Sequence, residues 1–335
     1  MWQLPFLLLL IGTTTWILNR QKAGSATFQH NEGLIFGTIW HATYQHGESI
    51  ENDIVRALQE VDASMSMFNP NSTISRINRG ESTQTDSLFC IVFTQAQQIS
   101  EATAGDFDIT VGPLVNAWGF GFKSGALPDS TQLDSIRSHV GWQKVSLQDG
   151  QLVKSDEQVV MDFSAIAKGF AVDCVASLFK EKGIKNYMIE IGGEIVLSGH
   201  NKKGNDWVIG VSKPVEDSLA TNTENQALLH ITDCAMATSG NYRNFYITKE
   251  GQKVSHTINP HTGRPAQQNI LSSTVLAPTC AMADAFATSF MVMGLERAKQ
   301  VLNEQPQLQA YFIYVDENNE LQTWCTPPLK EKLDR

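Results

Sequence analysis

Asp284 and Thr288 stand four residues apart in the segment TCAMADAFATSFMVMG, residues 279–294. On a helix this spacing projects a carboxylate and a hydroxyl from one face. Ala283, Ala285, Phe286, Ala287 and Phe290 make the surroundings apolar, and a carboxylate there is costly unless it is hydrogen-bonded or holds a cation. An oxygen-only pair suits magnesium, which takes its remaining ligands from water and substrate phosphates. The spacing fits equally well an Asp284 that accepts a hydrogen bond from a neighbouring backbone group.

Other segments carry reactive groups with less fixed geometry. In DFSAIAKG, residues 162–169, Asp162 ends a strand and Lys168 falls in the first turns of the following helix. A helix N-terminus with a lysine suits a pyrophosphate or a carboxylate, although a surface lysine explains the residue as well. In DFDITVGP, residues 106–113, Asp106 and Asp108 share a side if the segment is extended; this fits acid–base chemistry, a ribose contact or a solvated edge. SHTINPHTGRPA, residues 255–266, holds His256 inside a strand and His261 in an Asn-Pro-His-Thr-Gly turn. That spacing fixes no metal geometry. There is no G-x-x-x-x-G-K-[ST] and no G-x-G-x-x-G opening a helix. The pair Gly192 and Gly193 reads as a bulge or tight turn between strands, or as a phosphate cradle.

The elements that must position these groups can be read from periodicity. After a polar linker near residues 20–33, GLIFGTIWHATY alternates as a strand, and Ile50, Ile54, Val55, Leu58, Val61 and Met65 then recur at helical spacing with Ser49 as cap. A second helix spans residues 87–103, with Leu88, Val92, Phe93, Ala96 and Ile99 on one face and Gly105 at its end. QVVMDF reads as a strand running directly into a helix capped by Ser164 and stopped by Gly183, a natural place for a polar ligand. Strands follow at NYMIEIGGEIVLSG, DWVIGVS, ALLHITDC, KVSHTI and LSSTVLAP, then helices over 281–293 and from Leu295, and a closing hairpin turned at Asn318 and Asn319. Antiparallel-looking strand runs with a few long helices place the chain in the α+β class.

At 335 residues the chain is long enough for one large two-lobed domain or two closely joined ones. The 25 basic against 35 acidic side chains leave a net charge of −10, which excludes an electrostatic reason to bind nucleic acid. A polyanionic ligand then needs a bound cation or a local patch. Five dispersed cysteines without a C-x-x-C pair argue against zinc and leave at least one free thiol. Residues 1–19 carry no charged side chain and read as an export signal or membrane anchor, with small residues at 23–26 as a candidate cleavage site. No cysteine precedes Cys90, which excludes a lipid anchor there. The expected organisation is a signal peptide or signal-anchor over 1–22, a linker over 23–33 and one functional domain over 34–328.

Taken in order, SMFNPNSTISRIN, GDFDITVGPLVNAWGFG, MDFSAIAKGFAVD, IEIGGEIVLSG, ATSGNY, SHTINPHTGRPA and ADAFATSFMVMG resemble the ApbE family of flavin transferases over residues 34–315. The resemblance implies an α+β architecture of the T-fold kind, two lobes with mostly antiparallel sheets and FAD between them. It implies FAD contacts at Phe36, Phe68, Asp106, Phe107, Asp108, Asp162, Lys168 and Ile258. Phe36 stands where the family commonly has methionine, and Phe68 where it commonly has a tyrosine able to stack on a flat ring. It implies magnesium held by Asp284, Thr288 and the backbone oxygen of Ala165. This sequence departs from the pattern at Ala287, where some members carry a further aspartate, and at Ser164 and Ala165, where many carry glycine.

The implied reaction is FAD:protein FMN transfer. A threonine or serine hydroxyl of an acceptor protein attacks the FMN phosphorus and AMP leaves, with magnesium neutralising phosphate charge that a −10 chain would otherwise repel. His256 is the candidate general base, against a role as a packed strand residue. FAD hydrolysis to FMN and AMP, or flavin binding without turnover, are the alternatives. The implied setting is the outer, periplasmic side of a bacterial inner membrane, the chain staying membrane-associated if its N-terminus is uncleaved, and the implied acceptor is a membrane electron-transport subunit.

Overall fold

The computed structural model describes residues 27–121, 127–214, 224–241, 245–247 and 253–334. The chain opens with β1 (Phe28–Ile35) and β2 (Thr38–Gln45), followed by α1 (Glu51–Met65), α2 (Thr73–Asn78), α3 (Ser87–Ala102), α4 (Gly112–Ala117) and α5 (Ser130–Arg137). The hairpin of β3 (Val145–Gln148) and β4 (Gln151–Lys154) leads to α6 (Ala167–Glu181), β5 (Tyr187–Ile191), β6 (Glu194–Ser198), β7 (Trp207–Ser212) and β8 (Asn225–Ile231). After β9 (Cys234–Gly240), β10 (Phe245–Ile247), β11 (Lys253–Ser255) and β12 (Ile270–Ala277) come α7 (Cys280–Met293), α8 (Leu295–Glu304), β13 (Gln309–Val315), β14 (Leu321–Cys325) and α9 (Pro327–Lys330).

Eight strands form one sheet in the order β1-β2-β5-β6-β9-β12-β13-β14. Every pairing in it is antiparallel, so the architecture is α+β. Side-chain alternation sends Val196, Ala235, Ala237, Val275 and Phe312 to one face, where α1, α3, α6, α7 and α8 cover them. Ile195, Leu197, Met236, Leu276 and Ile313 point to the other face and pack under β7, β8 and Leu329 of α9. A smaller cluster joins Leu114 of α4 and Trp118 at its C-cap with Leu133, Val254 and Ile258.

Several local expectations are corrected. The single strand read over GLIFGTIWHATY is a hairpin: Phe36 at φ 51° and Gly37 at φ 73° make the left-handed two-residue turn that a right-twisted hairpin requires. Residues 28–33 therefore belong to β1 rather than to a linker. Ile50 and Ile166, not Ser49 and Ser164, occupy the N-cap positions of α1 and α6, and neither makes a side-chain cap bond. QVVMDF is not a continuous strand; Val160 makes an isolated parallel bridge to Val111. Asp106 lies in a bend and Asp108 in irregular backbone rather than in a strand, and His256 follows β11 instead of lying within it. The segment 1–22 and the candidate cleavage residues 23–26 lie outside the described residues, among which no helix is long and apolar enough to cross a membrane. All five cysteines are free thiols.

Candidate active site

Helix α7 is buried nearly all round and its start is tied to α6. Asp173 accepts hydrogen bonds from the N–H groups of Cys280 at 2.8 Å and Ala281 at 2.9 Å, two of the donors a helix leaves unpaired at its first turn. Burial pushes the Asp173 carboxyl up to about 6. The tie runs in the other direction too. Ile166 has no side-chain acceptor for the first turn of α6, and the Gly169 N–H donates instead to Asp284 Oδ2 at 3.1 Å. Asp284 thus does for α6, from a neighbouring helix, what a capping residue does from its own. That donor, four residues beyond Ala165, is aimed at Asp284 rather than back at the Ala165 carbonyl.

Next to Asp284, the Lys168 ammonium pairs with Glu194 Oε1 at 2.6 Å. Glu194, the first residue of β6, is 3% exposed, and its Oε2 has no hydrogen-bond partner among the described residues. Burial pushes the carboxyls of Glu194 and Asp284 above the usual range, against the pull of Lys168. Burial also works against charge on Lys168, but Glu194 and Asp284 outweigh it and hold the ammonium above its ordinary value. Lys168 thus pairs with one buried carboxylate and feels the charge of a second. Thr288, one turn along α7 from Asp284, meets Ser239 of β9 with the hydroxyl oxygens 3.1 Å apart.

Asp284, Thr288, Lys168, Glu194 and Ser239 line a cavity of about 580 Å³ at the turn end of β5 and β6, where it meets the start of α6, the end of β9 and one face of α7. The cavity brings together Asp106, Phe107, Asp108, Asp162, Ala165, Lys168, His256, Ile258, Asp284 and Thr288, the greater part of the residues singled out from sequence. Three further carboxylates of the lining are each hydrogen-bonded. Asp106 accepts from Arg297 Nε at 2.8 Å and pairs with His261 Nε2 at 3.1 Å. Asp108 accepts from the Thr110 N–H, the Thr110 hydroxyl and the Trp142 N–H at 2.7, 2.6 and 2.9 Å. Asp162 accepts from the Ser164 N–H at 2.8 Å. Burial raises Asp108 and Asp162 above the usual carboxylate range. Neither reading as a solvated edge survives, since both Asp106 and Asp108 are buried. His256 sits on the bend after β11, its ring centroid 6.3 Å from that of Phe120 in an edge-on contact.

Phe36 and Phe68 are not among the cavity-lining residues. Phe36 lies in the β1–β2 turn, partly buried against the main core, and Phe68 is 71% exposed on the loop after α1. Ala287 is wholly buried and offers no ligand atom. Sequence reasoning missed Glu194, Glu190 and Ser239, which also line the cavity. The available signal was IEIGGEIV: two glutamates in otherwise apolar strands either side of a glycine turn.

The sequence profile described as the ApbE family matches residues 36–312. A protein of Vibrio cholerae named FAD:protein FMN transferase is 38% identical over 283 residues, spanning 81% of this chain and 83% of that protein. One of Escherichia coli with the same name is 33% identical over 316 residues, spanning 90% of this chain and 88% of that protein. The solved structure of the flavin transferase ApbE from Vibrio cholerae superposes with a TM-score of 0.81 at 34% identity, over 92% of this chain and 99% of that one. The apo flavinyl transferase ApbE of Pseudomonas stutzeri gives 0.81 at 25% identity, over 91% and 96%. A matching profile over most of the chain, relatives above 30% identity and the same fold place the chain in the ApbE family.

Proposed function

We propose that this chain transfers FMN from FAD to a threonine or serine hydroxyl of an acceptor protein, with AMP as the leaving group and magnesium as the required cation. The observation that carries the reading is the cavity itself, in which Asp284, Glu194 and Lys168 lie with the start of α6, and His256 stands on the same lining. The donor set fits a hard divalent ion: the buried carboxylates of Asp284 and Glu194 lie beside one ammonium, Glu194 Oε2 has no hydrogen-bond partner among the described residues, and Ala165 and Thr288 line the same space. Asp284, Thr288 and the Ala165 carbonyl would hold the ion. Bound there, magnesium supplies charge neutralisation and Lewis acidity at the pyrophosphate.

The chain's own residues do the rest. Lys168, whose charge is partly neutralised by Glu194, would meet the pyrophosphate from the start of α6. Phe107, Val115, Phe120 and Ile258 give the cavity an apolar wall for a flat ring. His256 takes the proton from the acceptor hydroxyl as its oxygen bonds to the FMN phosphorus and the phosphorus–bridging-oxygen bond breaks, releasing AMP. His256→Gln is expected to slow transfer by roughly a hundredfold or more while FAD affinity stays within about twofold of wild type. Stopped-time assays of covalent flavin together with FAD titration check it; full transfer across neutral pH would return His256 to a packing role.

The raised carboxyls predict a pH dependence with a definite sign. At mildly acidic pH Asp284 and Glu194 retain protons that exposed carboxyls have already lost, so a cation must displace them. Apparent magnesium affinity should therefore rise between about pH 5 and pH 8, with proton release on binding. Calorimetric titration in buffers of different ionisation enthalpy measures both, and a pH-independent affinity without proton release would contradict it.

The acceptor is read as a flavin-carrying domain of a membrane electron-transport subunit, and the site of action as the periplasmic side of the inner membrane, with residues 1–22 as signal or anchor. The uncharged start of the chain supports this placement. A reporter fused after Arg335 should be active outside the cytoplasm; activity confined to the cytoplasm would overturn it.

A further inference from the structure

We propose that the face of β1 and β2 turned away from the helices carries a transition-metal site formed by His30, Glu32 and His41. Period-two alternation puts His30 and Glu32 on one side of β1, and the hairpin register sets His41 directly opposite Glu32 and Thr43 opposite His30. Glu32 Oε2 lies 3.2 Å from His41 Nδ1 and 3.6 Å from His30 Nε2, and ligand atoms from all three residues fall within 4.8 Å of one another. The two imidazoles stand 6.1 Å apart between centroids with planes 19° apart.

Two neighbours complete the arrangement. Thr43 Oγ1 is 3.1 Å from His30 Nδ1; in the tautomer that donates Nδ1–H to it, Nε2 presents its lone pair towards Glu32, the outer bond that orients metal-bound histidines. On the other side of His41, the register places Glu190 of β5, a residue of the cavity lining whose carboxylate accepts from the Gly193 N–H. Two imidazoles with the Glu32 carboxylate favour a cation, and a two-nitrogen, one-oxygen set selects zinc or copper over magnesium. The residues come together only through hairpin register, which is why cysteine spacing and the pair His256 and His261 did not reveal the site.

The ion would cross-link the edge strand β1 to β2 and leave a coordination position open to water. The test titrates the full chain with Zn2+ in excess Mg2+, following binding by calorimetry and the thermal unfolding midpoint. Wild type and Asp284→Ala should each bind one equivalent on this face with a zinc-dependent rise in midpoint. His30→Gln combined with His41→Gln should lose both, while keeping its zinc-free midpoint and its FMN transfer rate. Thr43→Val should weaken zinc affinity by about tenfold or more. Equal zinc binding by wild type and the double variant, or no binding by wild type, would overturn the proposal.

Discussion

Asp284→Ala should abolish both FMN transfer and FAD hydrolysis, because on the proposed function both routes need one cation on one pyrophosphate whichever hydroxyl attacks. Loss of a Lewis-acid ion removes several kcal/mol of transition-state stabilisation, roughly a thousandfold or more in rate. The stability effect is smaller and composite. Deletion leaves the Gly169 N–H without its acceptor, a cost of about 1–3 kcal/mol, and also removes a carboxylate whose ionisation burial opposes. Asp284→Asn separates the roles, since its amide oxygen still accepts from Gly169 while the charge is gone; it should fold as wild type and remain inactive. Thr288→Val should be milder, because water can replace a neutral hydroxyl ligand, and excess magnesium should partly rescue it but not Asp284→Ala. Near wild-type turnover by Asp284→Ala, or no effect of chelator on the unmodified enzyme, would remove the metal assignment.

Gly169→Ala should cost about 3 kcal/mol or more although it adds one methyl group. A Cβ there would lie 2.3 Å from the Cys280 carbonyl oxygen, 2.6 Å from its carbon and 2.8 Å from the Ala281 nitrogen. All three are backbone atoms at the start of α7, so no side-chain rotation relieves the contact and the two helices must part. Parting them strains the bonds from Asp173 to Cys280 and Ala281 and the bond from Gly169 to Asp284. Stability and activity should therefore fall together, with urea unfolding and magnesium-dependent AMP release as the two readouts. An unchanged unfolding midpoint would mean that α6 and α7 are not packed backbone to backbone.

Helix α7 is legible in the sequence because an apolar run between Thr279 and Gly294 holds one carboxylate, and both readings of that carboxylate bear on the structure: it accepts a backbone N–H and it lines the cavity. The β5–β6 turn is legible from its glycine pair, which sits at φ 61° and 106°. Positions fixed by tertiary contact are less so. Glu194 reads as one more strand residue until β6 packs beside Lys168, and Asp108 reads as a solvated acid until Trp142 and Thr110 close over it. Ser49 and Ser164 look like caps because local chemistry favours serine there; the structure satisfies the first turn of α6 from a distant helix instead. Phe68, expected from the family resemblance to stack on a ring, stands exposed on its loop, outside the cavity lining.

The central claim is tested most directly by incubating the chain with FAD and magnesium, with and without an acceptor domain, while measuring AMP release and flavin covalently bound to the acceptor. The account predicts AMP release that rises sharply when acceptor is present, matched mole for mole by flavin that survives denaturation on a threonine or serine, with both signals abolished by chelator and in Asp284→Ala. AMP released at the same rate without acceptor and with no protein-bound flavin would make the chain a hydrolase, and no AMP under either condition would leave it a flavin-binding protein without turnover; either result would contradict the account.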